Sequence, residues 1–258
     1  MPKKFARKRP AYKKRYMPKN TFRKRVLAVV TKQAEMKFAS FSVNTTLGNQ
    51  INLTNGLFSL EPAISQGDGT YERNGNKIRL HKVELVGYLN WKPQPTNIAS
   101  LPANSVYYAN NIVRMNVLRQ RSHDSGYAIA TNTPTGVFET NNLLENSTSY
   151  TGTLQNSLQD INRDAFINKK QMRIKMSGSL TNNGGFVDID SASDMLKKFK
   201  YTMRFGKAGK VITYRTGGQT HSTNFPYFLT QVAHNTFNGQ APADIFSEFL
   251  VKWYYTDI

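Results

Sequence analysis

The chain has 258 residues, with 35 Lys and Arg against 16 Asp and Glu, a net charge of +19 and 39% hydrophobic residues. That is enough apolar material for one large all-β domain or two small ones. The absence of cysteine excludes disulfides, thiolate zinc centres and a cysteine nucleophile. No apolar run approaches the roughly 18 residues of a membrane-spanning helix, and the charged N-terminus lacks the apolar segment of a signal peptide.

Twelve of the cations fall in the first 25 residues: Lys3, Lys4, Arg7, Lys8, Arg9, Lys13, Lys14, Arg15, Lys19, Arg23, Lys24 and Arg25, with Glu35 the first acid. Setting them aside leaves 23 cations against 16 acids, so the rest of the chain carries only +7. Pro2, Pro10 and Pro18 oppose a continuous helix. A segment of this composition is expected to be disordered when free. We therefore divide the chain into a flexible basic arm, residues 1–32, and a folded domain, residues 33–258. A polyanion is the natural partner of such an arm. On a single-stranded nucleic acid, each neutralised phosphate contributes about −0.7 to the slope of log K against log salt. The interleaved Phe5, Tyr12, Tyr16 and Phe22 can stack on unpaired bases for roughly 1–3 kcal/mol each. Nothing in the arm fixes a geometry for base edges, so binding is expected to be independent of sequence. The Lys/Arg clusters also match a nuclear localisation signal, which implies a host nuclear import receptor. A membrane-binding helix would need an apolar face, and the arm has none.

Val26–Lys32 is a short bridge, helical or a first strand. Beyond it the chain is β in character, with Val, Ile, Thr, Tyr and Phe in runs punctuated by Gly, Asn, Ser and Pro. Strands are expected at Met36–Thr45, Lys77–Trp91, Asn111–Arg121, Met172–Ser177, Lys198–Phe205, Lys210–Arg215, Phe225–Ala233 and Phe249–Thr256. In the run Lys77–Trp91 the apolar parity switches between Ile78, Leu80 and Val83, Leu85, which predicts a bulge near His81 or Lys82. Phe199, Tyr201, Met203 and Phe205 alternate with Lys198, Lys200, Thr202 and Arg204, giving one apolar and one basic face. Arg173 and Lys175 alternate with Met172, Ile174 and Met176 in the same way. Both parities of the C-terminal run are rather apolar, which suits a central strand. Helix is expected only at Ala241–Phe246 or Ser191–Leu196. The connections Leu47–Asn76, Lys92–Asn110 and Ser122–Asp160 are long and are expected to need a partner surface.

Four histidines, His81, His123, His221 and His234, show no metal-ligand spacing. The run Asp188-Ile-Asp190-Ser-Ala-Ser-Asp194 lacks the Gly and Glu of a calcium loop at its sixth and twelfth positions, Ser193 and Phe199. No metal site and no cofactor are expected. Gly67-Asp-Gly69 reads as a turn before a strand, since neither a further Gly nor a helix follows as a phosphate loop requires. Acids are too scattered for a metal-dependent nuclease centre, so no enzyme is expected.

Eight strands, long loops and a basic N-terminus together are similar to the single jelly roll of small icosahedral virus capsids. Ile64-Ser-Gln-Gly67, then Arg73-Asn-Gly75-Asn-Lys77-Ile78 and the long strand to Trp91, resemble the region entering the C strand in capsid proteins of circular, Rep-encoding single-stranded DNA viruses of the circovirus-like, unclassified group. The resemblance implies an all-β fold of two packed four-stranded antiparallel sheets. It also implies a homo-oligomeric shell of sixty subunits around a circular single-stranded DNA genome, a virion that meets a cell-surface receptor, and assembly in the host nucleus. Satellite plant viruses with RNA genomes share the arm and the jelly roll, so RNA stays open as the packaged genome. A non-viral nucleic-acid-binding β protein also stays open. Arg173, Lys175, Lys198, Lys200 and Arg204 are then candidates for a basic face lining the interior.

Overall fold

A computed structural model describes residues 29, 35–51, 56–91, 106–121, 142–147, 149–182, 187–191, 195–215, 220–235 and 245–258. The twelve arm cations and the bridge Val26–Lys32, save Val29, lie outside the described residues. Among its described residues the unit Met36–Ile258 has ten strands: β1 (Lys37–Thr46), β2 (Leu57–Ser59), β3 (Lys77–Trp91), β4 (Val106–Gln120), β5 (Phe166–Asn182), β6 (Val187–Ser191), β7 (Leu196–Arg204), β8 (Lys210–Thr213), β9 (Tyr227–Asn235) and β10 (Ile245–Asp257).

They form two antiparallel sheets. The first has the order β1-β10-β3-β7, with β8 also on β3; the second has the order β2-β9-β4-β5-β6. The last strand therefore lies beside the first, and the chain passes back and forth between sheets, as two Greek keys require. This is a jelly roll. The expected four strands per sheet become five, because two short strands extend the edges. β8 continues the β7 side of β3, where Lys77–Leu80 pair with Thr213–Lys210, and β6 pairs with the far end of β5.

The switch of parity in β3 has the expected cause. Tyr254 of β10 pairs with Lys82 and Tyr255 with Leu80, so His81 is the extra residue of a bulge. The bulge keeps Ile78 and Leu80 on the same buried side as Val83 and Leu85. β10 is central, between β1 and β3. Its Phe249, Val251, Trp253 and Tyr255 are buried, and Trp253 Nε1 donates to Leu60 O at 3.0 Å. Facing them across the sandwich are Val113, Met115, Val117, Met176, Leu229 and Ala233 of the second sheet.

Three expectations change. Leu57–Ser59, a strand inside the connection Leu47–Asn76, pairs with β9. The run Lys77–Trp91 is accordingly the third strand in the chain's alternation between sheets, not the second. Where Ala241–Phe246 and Ser191–Leu196 are described, their ends belong to β10, β6 and β7, so helix is not found there. The latter part of Ser122–Asp160 needs no second molecule. Leu143, Leu144 and Tyr150, with Ile51 and Ile161, cover Leu118, Phe166, Phe228 and Val232 on the outer side of the second sheet.

The Gly67–Gly69 segment is a turn. Gly67 N–H donates to Arg73 O at 3.1 Å, and Gly69 N–H to Glu72 Oε2 at 2.9 Å. Arg73, fully buried, organises it. Its Nε donates to Ile64 O at 3.1 Å, and its guanidinium lies 4.0 Å from the centre of the Tyr214 ring.

Candidate nucleic-acid interface

The outer side of the first sheet follows from register. Side chains alternate across a strand, so the residues opposite the buried set of β10, β3 and β7 share one face. Paired positions give the rows Tyr254–Lys82–Arg204, Lys252–Glu84–Thr202, Leu250–Val86–Lys200 and Glu248–Tyr88–Lys198. Five cations, Lys82, Lys198, Lys200, Arg204 and Lys252, thus share the face with two acids, Glu84 and Glu248. Glu84 is already engaged: Lys82 Nζ is 3.1 Å from its Oε1, and Tyr254 Oη donates to its Oε2 at 2.9 Å. The Tyr254 hydrogen bond, aided by Lys82, holds the Glu84 carboxyl below its usual range. The same bond pushes the Tyr254 phenol up. Lys82 Nζ sits 3.7 Å from the Tyr254 ring centre and Lys198 Nζ 5.7 Å from that of Tyr88. Lys198, Lys200 and Arg204 are exposed.

The five sequence-derived candidates do not form one face. Lys198, Lys200 and Arg204 gather here. Arg173 and Lys175 sit on β5 in the other sheet, paired with Arg114 and Ile112 of β4. Arg173 donates from Nη2 to Ser157 O at 3.1 Å. Its neighbour Arg114, fully buried, donates from Nη1 to Asn156 O at 2.8 Å. These two guanidinium groups pin the covering connection. Beside them Tyr150 Oη and His234 Nε2 are 2.5 Å apart, and burial lowers the His234 pKa.

Sequence reasoning missed Lys82 and Lys252 as members of the basic face. Lys252 was visible in the alternation of β10. Lys82 becomes outward-facing only through the bulge at His81. A second basic depression, of about 600 Å³, is lined by Arg121, Arg163, Lys169 and Lys170 with Asp160. There Lys169 is the extra residue of a bulge, since Val117 pairs with Lys170 and Leu118 with Asn168. Among the described residues no group of three or more His, Asp or Glu is gathered to hold a metal ion. Asp188 and Asp190 lie on the strand β6.

No family model matches the chain, and no curated protein matches it. Among solved structures it is similar to the VP1 protein of Trichodysplasia spinulosa-associated polyomavirus, at 10% identity over 86% of this chain and 95% of that one, with a TM-score of 0.25. It is also similar to Merkel cell polyomavirus VP1 in complex with GD1a oligosaccharide, at 9% identity over 86% and 96% of the two chains, with a TM-score of 0.23. The jelly-roll assignment rests on strand pairing and not on these overlaps.

Proposed function

We propose that this chain is a viral capsid protein, a structural protein and not an enzyme. It self-assembles into a small icosahedral shell of sixty copies and packages a single-stranded DNA genome through its basic N-terminal arm. The observation that carries the proposal is one combination: a jelly roll with long connections, joined to 25 residues that hold twelve cations and no anion. The fold supplies a rigid tile. The arm supplies charge that one copy uses weakly and a closed shell multiplies. Sixty arms bring about 720 positive charges, comparable to the phosphates of a genome of roughly one thousand nucleotides. The basic outer face of the first sheet adds to them. The resemblance of the Gly67–Trp91 stretch favours a circular, circovirus-like DNA genome. The arm's clusters favour nuclear import before assembly, and a virion of this kind meets a receptor at the cell surface.

Electron microscopy of the purified protein tests the first claim, with closed shells of uniform small diameter expected. Protein that stays monomeric with and without nucleic acid, across salt and pH, would count decisively against it. Digestion of nuclease-protected contents with DNase and with RNase separates a DNA genome from an RNA genome. A stable monomer that binds nucleic acid would favour a non-viral binding protein.

A further inference from the structure

At one end of the basic face lies a depression of about 520 Å³, lined by Met36, His81, Lys82, Arg204, Gly206, Lys207 and Tyr254. Its shape has a local cause. The bulge puts His81 between the stretch of β3 that pairs with β7 and the stretch that pairs with β8. Bulges re-aim side chains and end ladders. Here the carbonyl of His81 accepts Phe205 N–H at 3.1 Å, which ties down the β7–β8 turn, while Nε2 of His81 lies 3.2 Å from Thr256 Oγ1. The turn itself, Gly206-Lys207-Ala208-Gly209, has Gly206 at φ +72° with Gly209 at φ +66° and open space where a Gly206 side chain would be. Lys207 stands at its tip.

The lining is chemically divided. Met36, 61% exposed, and the Tyr254 ring give apolar surface. Lys82, Arg204 and Lys207 give positive charge. Lys82 is shared with Glu84, but among the described residues neither Arg204 nor Lys207 has an ion-pair partner. A volume of this size suits a small organic ligand rather than an inorganic ion. Apolar surface beside uncommitted cations is what single-stranded nucleic acid requires: a surface for the base and charge for the phosphate. Met36 is also the residue at which the folded unit takes over from the first 35 residues. The arm is therefore covalently joined to the chain at a residue that lines this depression.

We propose that the depression seats a nucleotide of the packaged strand, giving the folded unit its own nucleic-acid site beside the arm. The proposal rests on the packaging function above and adds to it an ordered contact outside the arm. Without a scaffold the arm binds along the chain with no register. A seat on the tile gives each subunit one fixed point on the genome.

The test uses full-length particles with their own contents. Irradiation at short ultraviolet wavelength, nuclease digestion and peptide mass spectrometry are expected to place nucleotide adducts on the peptides holding Met36, Lys207 or Tyr254. Adducts confined to residues 1–34 would overturn the seat while leaving packaging intact. Particles devoid of nucleic acid would overturn packaging, and the seat with it. Changing Arg204→Glu with Lys207→Glu is expected to bring the adducts at Tyr254 to background. The charge-matched pair Lys169→Glu with Lys170→Glu, on the other sheet, is expected to leave them in place. Equal loss in both variants would show a response to net charge alone and would overturn the proposal.

Discussion

Arg73 is a cation without exposed surface whose work is structural. Its Nε holds Ile64 O, Nη1 reaches Gly75 O, and its plane lies over Tyr214, whose own hydroxyl donates to Pro62 O at 3.0 Å. Lysine has the charge but neither the planar fork nor the stacking face. Arg73→Lys is expected to cost roughly 2–4 kcal/mol in urea unfolding, since it strands buried carbonyls and loses the ring contact. Unchanged stability would mean that the segment does not depend on the guanidinium. Glu61 poses a different problem. Burial pushes its carboxyl from 4.5 up to about 7, against the opposing bond from Ser222 N–H. The folded chain therefore keeps a proton that the unfolded chain releases above pH 4.5. That contribution to stability is complete below 4.5 and is lost as pH rises through about 7. Unfolding free energy should fall by on the order of 1–3 kcal/mol across this window, and Glu61→Gln should flatten that part of the profile. Parallel profiles for the two proteins would sink the assignment.

At the scale of elements, the bulge in β3 decides which side chains are buried. A regular ladder running through His81, without the bulge, would shift Lys77–Leu80 by one residue against β10 and turn Ile78 and Leu80 outward. Exposing those two side chains costs about 3–6 kcal/mol, a large part of the roughly 5–15 kcal/mol that holds a domain together. Deletion of His81 removes only the extra residue and leaves Leu80 opposite Tyr255, with Ile78 and Leu80 inward. That protein is expected to melt cooperatively, below the parent because Phe205 N–H loses the His81 carbonyl, while His81→Ala, which keeps the bulge, should melt within a few degrees of the parent. Circular dichroism melts of the two variants check this. The bulge was legible because apolar parity is a one-dimensional signal and β3 is long. The short second strand was not: Leu57-Phe58-Ser59 has too few residues to show alternation, and only its pairing with β9 makes it a strand. The face of Arg173 was illegible for another reason. Its alternation matches that of Lys198 and Lys200. What separates them is the connection carrying Leu143, Leu144 and Tyr150, which covers one sheet and supplies the carbonyl of Ser157 to Arg173. Periodicity reports that a strand has two faces; it does not report which face a distant loop will cover.

On the scale of the whole molecule, charge is divided between a dense arm and a sparse body, and the two should respond to salt differently. If all twelve arm cations each neutralise a phosphate, the arm alone contributes about −8 to the slope of log K against log salt for a single-stranded oligonucleotide, and the body adds its own share. With the twelve changed to Gln, only the body remains. Its face holds five cations, one of them paired with Glu84, so a slope of about −2 to −3 is expected. Fluorescence anisotropy over a salt series measures both. Nearly equal slopes would place the main interface on the sandwich and demote the arm. The same division predicts a dependence of assembly on cargo. If copies of the chain assemble as proposed, subunits at +19 repel one another at low salt, and the repulsion is removed either by a packaged polyanion or by neutralising the arm. Shells of the parent protein should therefore need nucleic acid at low salt, whereas the Gln-substituted protein should close without it. Parent shells that form empty at low salt would show that contacts between tiles outweigh the repulsion, and that packaging follows assembly instead of driving it.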